Sequence, residues 1–437
     1  MQTKLKTQQN NEYKETELGL LPKEWEVVRL GDVAEKMKAG GTPLTNVKDY
    51  WENGDIPLVK VEDVVNADKF IVQTNLSITK KGLEDSSAWL VPENSIILTM
   101  YGTPGEVAIN KVPVAVTQNV MGIIKTKDID TDFFYYALKY TKNYTLHLIA
   151  DRTIFSHFTL AKAKNLIFPL PPLPEQKSIA FVLSTIQTAK EKTEQVIKAT
   201  KELKKSMMKH LFTYGPVSLE EAEKVKLKET EVGMIPKEWE VVRLGDVAKI
   251  SSGGSAPQGR KYFNGDKPFI RVKHIDNESF TIKGFDLINN EAVKKYKLKL
   301  FPKGTIVFPK SGASVYLEKR ALLPLDSFIV SHLCAVNVNN NVLQEFVFYF
   351  LIDKKLAERK AEGYPTLNLS EVKQVKIPLP PLPTQQKIAS ILSVIDEKIQ
   401  AEENKKKALE DLFKSMLHNL MTGRIRVKDL NFGVENV

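Results

Sequence analysis

The chain has a single cysteine, Cys334, in 437 residues, which leaves it no internal disulfide framework and suits a reducing, cytoplasmic setting. Its longest uninterrupted apolar run, 346–352, is far shorter than the about 20 residues a helix needs to span a bilayer. The opening MQTKLKTQQNNEYKE is polar, without the apolar core of a secretory leader. There is no Gly-Lys dipeptide and so no P-loop, no Pro-Pro followed by an aromatic of the kind amino-methyltransferases use around a flipped base, and no nuclease signature beginning Pro-Asp. The stretch Gly102-Thr103-Pro104-Gly105 is not followed by the Lys-Ser or Lys-Thr of a phosphate loop. Six histidines and one cysteine form no metal-ligand spacing, and His147, His210 and His418 read as ordinary helix residues. The sequence thus carries none of these catalytic signatures.

A different kind of information is abundant. The stretch TELGLLPKEWEVVRLGDVA at 16–34 returns as TEVGMIPKEWEVVRLGDVA at 230–248, with 16 of 19 positions identical. PLPPLP at 169–174 returns at 378–383, each time followed by about 40 residues with no further proline or glycine until Gly215 or Gly423. The chain is an internal duplication. Three prolines hold each entry extended, Pro174 and Pro383 suit the first helical turn, and a glycine marks each stop, so both segments read as long helices. In the first, Ile179, Val182, Ile186, Ala189, Thr193, Val196, Thr200, Leu203 and Met207 recur at the a/d spacing of a coiled coil. The same register in the second gives Ile388, Ile391, Ile395, Lys398, Glu402, Lys405, Leu409, Leu412 and Met416.

Between entry motif and proline brake lie two bodies that correspond loosely but in order. YWENGDIPLVKVEDV at 50–64 is echoed by YFNGDKPFIRVKHID at 262–276, and VAVTQNVMGII at 114–124 by FIVSHLCAVNV at 328–338. Short β-runs punctuated by Gly and Pro, then an aromatic helix, predict a mixed α+β (α/β) body with one curved sheet, Trp25 and Trp239 being core anchors. The organisation reads as a disordered lead-in at 1–15, bodies at 16–168 and 230–377, helices at 169–212 and 378–423, a linker at 213–229 and a tail at 424–437. If the helices ran parallel, the about 17 linker residues would have to retrace about 57 Å of helix, which exhausts their reach. Antiparallel pairing is the expectation, with a pseudo-twofold axis across the pair and a dumbbell outline.

The formal charge of +10, from 63 Lys and Arg against 53 Asp and Glu, moves the odds towards a polyanion only slightly. Base sequence is read by side chains that reach base edges, so candidates belong in loops that differ between the bodies. Such sets are Thr42, Thr45 and Lys48 against Ser255, Gln258, Arg260 and Lys261, and Lys60, Glu62 and Asp63 against Arg271, Lys273 and His274. Tyr101 and Thr103 face Lys310 and Ser314, and Gln118 and Asn119 face Ser331 and His332. A last set precedes each brake: Arg152, Thr153, Ser156 and His157 against Arg359, Lys360, Tyr364, Thr366 and Asn368. Gln118 and Asn119 stand out because a carboxamide pairs with both N6 and N7 of adenine. Ala180, Phe181, Leu183, Ile197, Met208 and Leu211 lie off the a/d seam and are expected to offer apolar surface to partner helices.

The ordered set PKEWEVVRLGDV, YWxNGDIP, YGTPGEVAI and PLPPLPEQKxIA followed by a long helix, all repeated, resembles the specificity subunit of type I restriction-modification enzymes over nearly the whole chain after residue 15. The resemblance implies two target-recognition domains on double-stranded DNA, one for each half of a bipartite site, with the helices as spacers. It implies two modification (methyltransferase) subunits using S-adenosylmethionine and ATP- and Mg-dependent restriction subunits as partners, no cofactor bound by this chain, and no membrane. Two other readings are a standalone two-headed DNA-binding regulator and a coiled-coil adaptor presenting its proline-rich motifs.

Overall fold

The computed structural model describes residues 12–142, 158–276, 279–356 and 366–427. The chain divides into two compact units. The first joins residues up to Glu194 with those from Asn404 onward, and the second is Gln195–Glu403. The boundaries cut both long helices, Leu173–Tyr214 and Leu382–Met421, so each unit holds one body, the first part of its own helix and the last part of the other. The helices, expected as separate segments, are thus divided between the two units.

In the first unit one sheet runs in the order Ala34–Ala39, Val120–Lys125, Ile96–Thr99, Val107–Asn110, Phe70–Ile71, and a second in the order Ser77–Ile78, Ile56–Val59, Val114–Val116, Leu90–Val91. The second unit repeats the plan. Ala248–Ser252, Leu333–Val338, Ile306–Pro309 and Ala321–Leu322 form one sheet, and Asp286–Ile288, Lys267–Ile270, Ser327–Ile329 and Leu300–Phe301 the other. The expected single curved sheet is thus two. The break falls inside the run VAVTQNVMGII, where a turn with Val120 N donating to Thr117 O (3.1 Å) sends Val114–Val116 into one sheet and Val120–Lys125 into the other. A small core including Val59, Val91, Ile97, Ala108 and Val116 lies between the two sheets. A larger one joins Trp25, Leu98, Phe133, Phe134 and Phe168 to Ile179, Leu183, Leu417 and Leu420 of the long helices.

The proline-rich segments are spent inside the fold. Ile167–Leu170 pairs antiparallel with Glu26–Arg29, and Lys376–Leu379 with Glu240–Arg243, placing Pro169 opposite Val27 and Pro378 opposite Val241. Two-stranded edges tolerate a residue without an N–H. Two residues past each brake, a buried glutamine completes the joint. Gln176 donates to Pro171 O (2.9 Å) and accepts from Asp130 N (2.9 Å), and Gln385 donates to Pro380 O (2.8 Å) and accepts from Leu343 N (2.8 Å). Asp130 and Leu343 begin the aromatic helices Thr131–Tyr140 and Gln344–Ile352, so one carboxamide fixes brake and body together. These contacts match the brace expected of PLPPLP.

Within each unit the helix segments are antiparallel. In the first, Ile179 and Leu183 share a core with Leu417 and Leu420 while Glu194 meets Lys406 at 2.9 Å. In the second, Met208 and Leu211 share a core with Ile388 and Leu392, and Lys201 and Lys204 reach Glu403 and Asp396 at 2.8 and 2.6 Å. The a/d reading fails beyond Thr193. The inward positions are Ile197, Lys201, Lys204, Met208 and Leu211, one residue later than expected, while Val196 and Leu203 are exposed. From Thr193 to Leu211 they recur about every 3.6 residues, the period of a straight α-helix, which drifts away from a 3.5-residue seam.

Each helix ends on a left-handed glycine, Gly215 at φ +86° and Gly423 at φ +64°. Gly215 abuts Trp239, and Gly423 abuts Pro22 and Trp25. Tyr13 Oη donates to Gly423 O (2.8 Å), and Tyr13–Thr16 pairs with Gly19–Pro22, so ordered structure begins before the expected limit at residue 15. The expected linker is also largely built. Leu219–Ala222 is a helical turn capped by Ser218 and Glu221, and Leu227–Thr230 pairs with Gly233–Pro236. Arg426 and Val427 of the tail pack on the first unit. No helix among the described residues is long and apolar enough to cross a membrane.

Candidate nucleic-acid interface

In each body the turn that joins the two sheets carries two polar residues at its tip, the exposed Gln118 and Asn119 in the first and the half-buried Ser331 and exposed His332 in the second. The turns are equivalent by their backbone bonds. Val120 N donates to Thr117 O and Leu333 N to Val330 O (2.9 Å), while Asn119 O accepts from Met100 N and His332 O from Lys310 N, both at 2.8 Å. Around the first tip the chain brings together Thr42, Lys60, Tyr101 and Thr103. Gly40 N bonds to Thr117 O, Thr117 N bonds to Val59 O beside Lys60, and Met100 precedes Tyr101. Around the second it brings together Ser255, Arg271, Lys310 and Thr366. Ser331 N bonds to Gly254 O, Val330 N to Ile270 O, and Ser311 bridges to Thr366.

Hydroxyl groups orient both tips. Thr42 Oγ1 donates to Gln118 Oε1 at 2.6 Å, leaving the amide N–H groups and an oxygen lone pair outward. Ser311 Oγ lies 2.6 Å from Nδ1 of the exposed His332, which leaves Nε2 for a further partner. Such an arrangement can present a donor and an acceptor together to a base edge in a major groove.

Several expected readers have other duties. Asp63 accepts from Lys60 N (2.8 Å) and from Asn75, capping the turn Val61–Asn66. His274 is buried, accepts from Arg271 N through Nδ1 (3.0 Å), and has its pKa lowered by burial, which outweighs Asp286 nearby. Neither faces outward, because both close the first turn of a short helix. Arg271 and Lys273 lean on Asp286 at 2.5 and 3.6 Å, Lys261 on Glu291 at 3.2 Å and Lys48 on Glu52 at 3.7 Å. Asn368 caps Leu369–Gln374. Thr45, Glu62, Gln258 and Arg260 are exposed, and Ser314 is half-buried. Arg152, Thr153, Ser156, His157, Arg359, Lys360 and Tyr364 lie outside the described residues.

The apolar helix surface expected for partners is mostly occupied. Ala180 and Leu183 belong to the first unit's core, Met208 and Leu211 to the second's, and Ile197 is buried. Helix and body compete for the same side chains, and the cores of the two units take up Ala180, Leu183, Met208 and Leu211. Phe181 stays exposed, joined by Val196, Leu203, Val394 and Leu412.

The glycine pairs that make the convergence possible are not among the varying polar loop residues. A Cβ on Gly40 would lie 1.6 Å from Val116 O, and one on Gly253 would lie 2.2 Å from Ile329 O. Gly-Gly recurs in both copies, and that repetition was the available signal. Ser87, brought against Gly41 and exposed, had none.

Two copies of one fold, each offering an oriented polar turn between two sheets, define a two-headed recognition protein. The pattern described as "Type I restriction modification DNA specificity domain" matches residues 22–202 and 236–411. The chain is 32% identical over 431 residues to the type I restriction enzyme MjaIX specificity subunit of Methanocaldococcus jannaschii, covering 96% of this chain and 98% of that one. It is 29% identical over 435 residues to the MjaVIII specificity subunit of the same organism, covering 94% and 95%. The solved S subunit of a type I restriction-modification system from M. genitalium shares the fold, with a TM-score of 0.57 at 18% identity over 91% of this chain and 96% of that one. The chain belongs to the type I restriction-modification specificity subunits.

Proposed function

We propose that each unit reads one half of an asymmetric bipartite site on double-stranded DNA, the first through the turn bearing Gln118 and Asn119 and the second through the turn bearing Ser331 and His332. The observation that carries this reading is the pair of hydroxyl-oriented tips, Thr42 on Gln118 and Ser311 on His332, at equivalent turns of two bodies. Unequal tips call for unequal half-sites. Thr45, Lys48, Lys60, Arg260 and Lys310 take phosphate or flanking contacts that hold the register. The chain itself performs no chemistry. Two methyltransferase subunits bring S-adenosylmethionine and dock on the helices around Phe181, Val196, Leu203, Val394 and Leu412, and restriction subunits bring ATP and Mg.

Genome-wide mapping of methylated adenines with and without this gene tests the reading. A split, asymmetric motif that vanishes with the gene is expected, and a methylation pattern unchanged by the deletion overturns it.

A further inference from the structure

Among the polar tips of the first unit stands one large aliphatic side chain. Leu44 is 66% exposed, two residues beyond the Thr42 that orients Gln118. Burial elsewhere does not explain it, and its position is fixed rather than loose. Pro43 before it is buried, Gly41 N is tied to Val116 O (3.1 Å), and the carbonyl of Leu44 accepts from both Trp51 Nε1 (3.0 Å) and Val47 N (3.3 Å). A leucine held out to water on a pinned loop presents apolar area that a ligand bringing its own apolar group to the polar tip can bury.

Beside a carboxamide aimed at a base edge, the apolar group a DNA major groove offers is the C5-methyl of thymine. Resting on the DNA-reading role above, we infer that Leu44 is a specificity-determining residue that contacts a thymine methyl in the half-site read by the first unit. The second unit has no counterpart. Its equivalent loop runs Gly253-Gly254-Ser255-Ala256-Pro257-Gln258, with Pro257 buried and Ala256 packed against the inter-sheet core. Methyl sensitivity at this loop therefore belongs to one half-site only.

The test uses the full chain assembled with its methyltransferase partner and duplexes carrying the methylated motif, each thymine replaced in turn by deoxyuridine, which removes only the methyl. One replacement in the half-site of the first unit is expected to weaken binding about fourfold, the equivalent of one buried methyl group at about 0.8 kcal/mol. Leu44→Ala should lose about as much on the thymine duplex and become indifferent to that replacement. Its melting temperature should be unchanged because the side chain is exposed. Retained motif specificity with no methyl-sensitive position, or a Leu44→Ala protein as methyl-sensitive as the parent, overturns the inference alone. So does a Leu44→Ala loss that is equal on every duplex, which marks a wedge rather than a methyl contact. Absence of motif-specific binding by the parent complex overturns the DNA-reading role and this inference with it.

Discussion

Glu175 accepts the indole N–H of Trp25 at 2.9 Å while holding Arg426, whose Nε and Nη2 lie 2.8 and 2.9 Å from its two carboxylate oxygens. Arg426 also reaches Glu24 at 2.6 Å. The second copy lacks this clasp, since 209 residues on from Glu175 stands Thr384, and 209 back from Arg426 stands Val217. The difference has a physical reason. The first long helix continues through the backbone into the second entry motif, whereas the end of the second long helix meets the first entry motif with no covalent link and is held there by side chains.

Removing Glu175 should therefore open the first unit locally. Glu175→Ala leaves the Trp25 indole N–H without its acceptor and Arg426 with Glu24 alone, and breaking a buried ion pair costs about 3 to 5 kcal/mol. Hydrogen exchange should speed up around Trp25 and at 423–427 while the core of the second unit keeps its protection. Equal loss of protection in both units would show that the clasp is not what holds this end.

Acid should weaken the second unit through His274. Burial lowers its folded pKa, with Asp286 opposing and Lys273 and Arg271 adding to the shift, so the unfolded chain takes up this proton first as pH falls. Stability is full above the ordinary histidine value of about 6.5 and is lost as pH drops towards the folded value. Thermal melts from about pH 7.5 to 5.5 should show a steeper fall for the parent than for His274→Asn. Parallel curves would remove His274 as the cause.

Cys334 supplies a simple probe of the same unit. It is fully buried in the strand Leu333–Val338, and burial pushes its thiol up to about 12. The thiolate is the reactive form, so a thiol reagent at neutral pH should label it only as fast as the unit opens. Immediate labelling of the native protein would contradict this packing.

Much of this architecture was legible in the residues. Sixteen identical positions in the entry motifs return as the same paired strands, Glu26–Arg29 with Ile167–Leu170 and Glu240–Arg243 with Lys376–Leu379. The polar TQN inside the apolar run VAVTQNVMGII singled out Gln118 and Asn119, but not that the chain changes sheet there. Leu183 and Leu211 show the limit. A sequence marks a side chain as apolar without saying whether the partner helix, the body or another protein covers it. Asp63 and His274 show another, since a polar residue in the first turn of a short helix caps that turn as readily as it serves DNA. The seam beyond Thr193 was lost because a heptad was imposed on a helix that keeps its own period.

Gln118→Ala should relax one position of one half-site. A bidentate carboxamide contact discriminates by about 1 to 3 kcal/mol, and the exposed side chain contributes little to stability. Methylation rates on duplexes altered base by base should show lost preference at one base pair in the half-site of the first unit and none in the other. A uniform loss across all duplexes would mean that Gln118 supports the loop rather than reading a base.

The last prediction concerns the spacer. Both long helices pass from one unit to the other, at Glu194/Gln195 and Glu403/Asn404. The ion pairs Glu194–Lys406 in the first unit and Lys201–Glu403 in the second lock the antiparallel register close to those points. Lengthening one helix alone would pull these pairs out of register, so the change has to be made in both. Four residues added at each point advance the helices about 6 Å and turn their ends by about 400°, a net rotation of about 40°. One extra base pair turns DNA by about 34 to 36°, so the double insertion should yield unchanged half-sites separated by a spacer about one base pair longer, with bending absorbing the excess advance. Two residues at each point rotate the ends by about 200° and should abolish methylation. Sequencing of methylated adenines after each change decides the matter. Activity of the four-residue variant on the original spacing alone, or identical behaviour of the two variants, would show that the helices do not set the spacer.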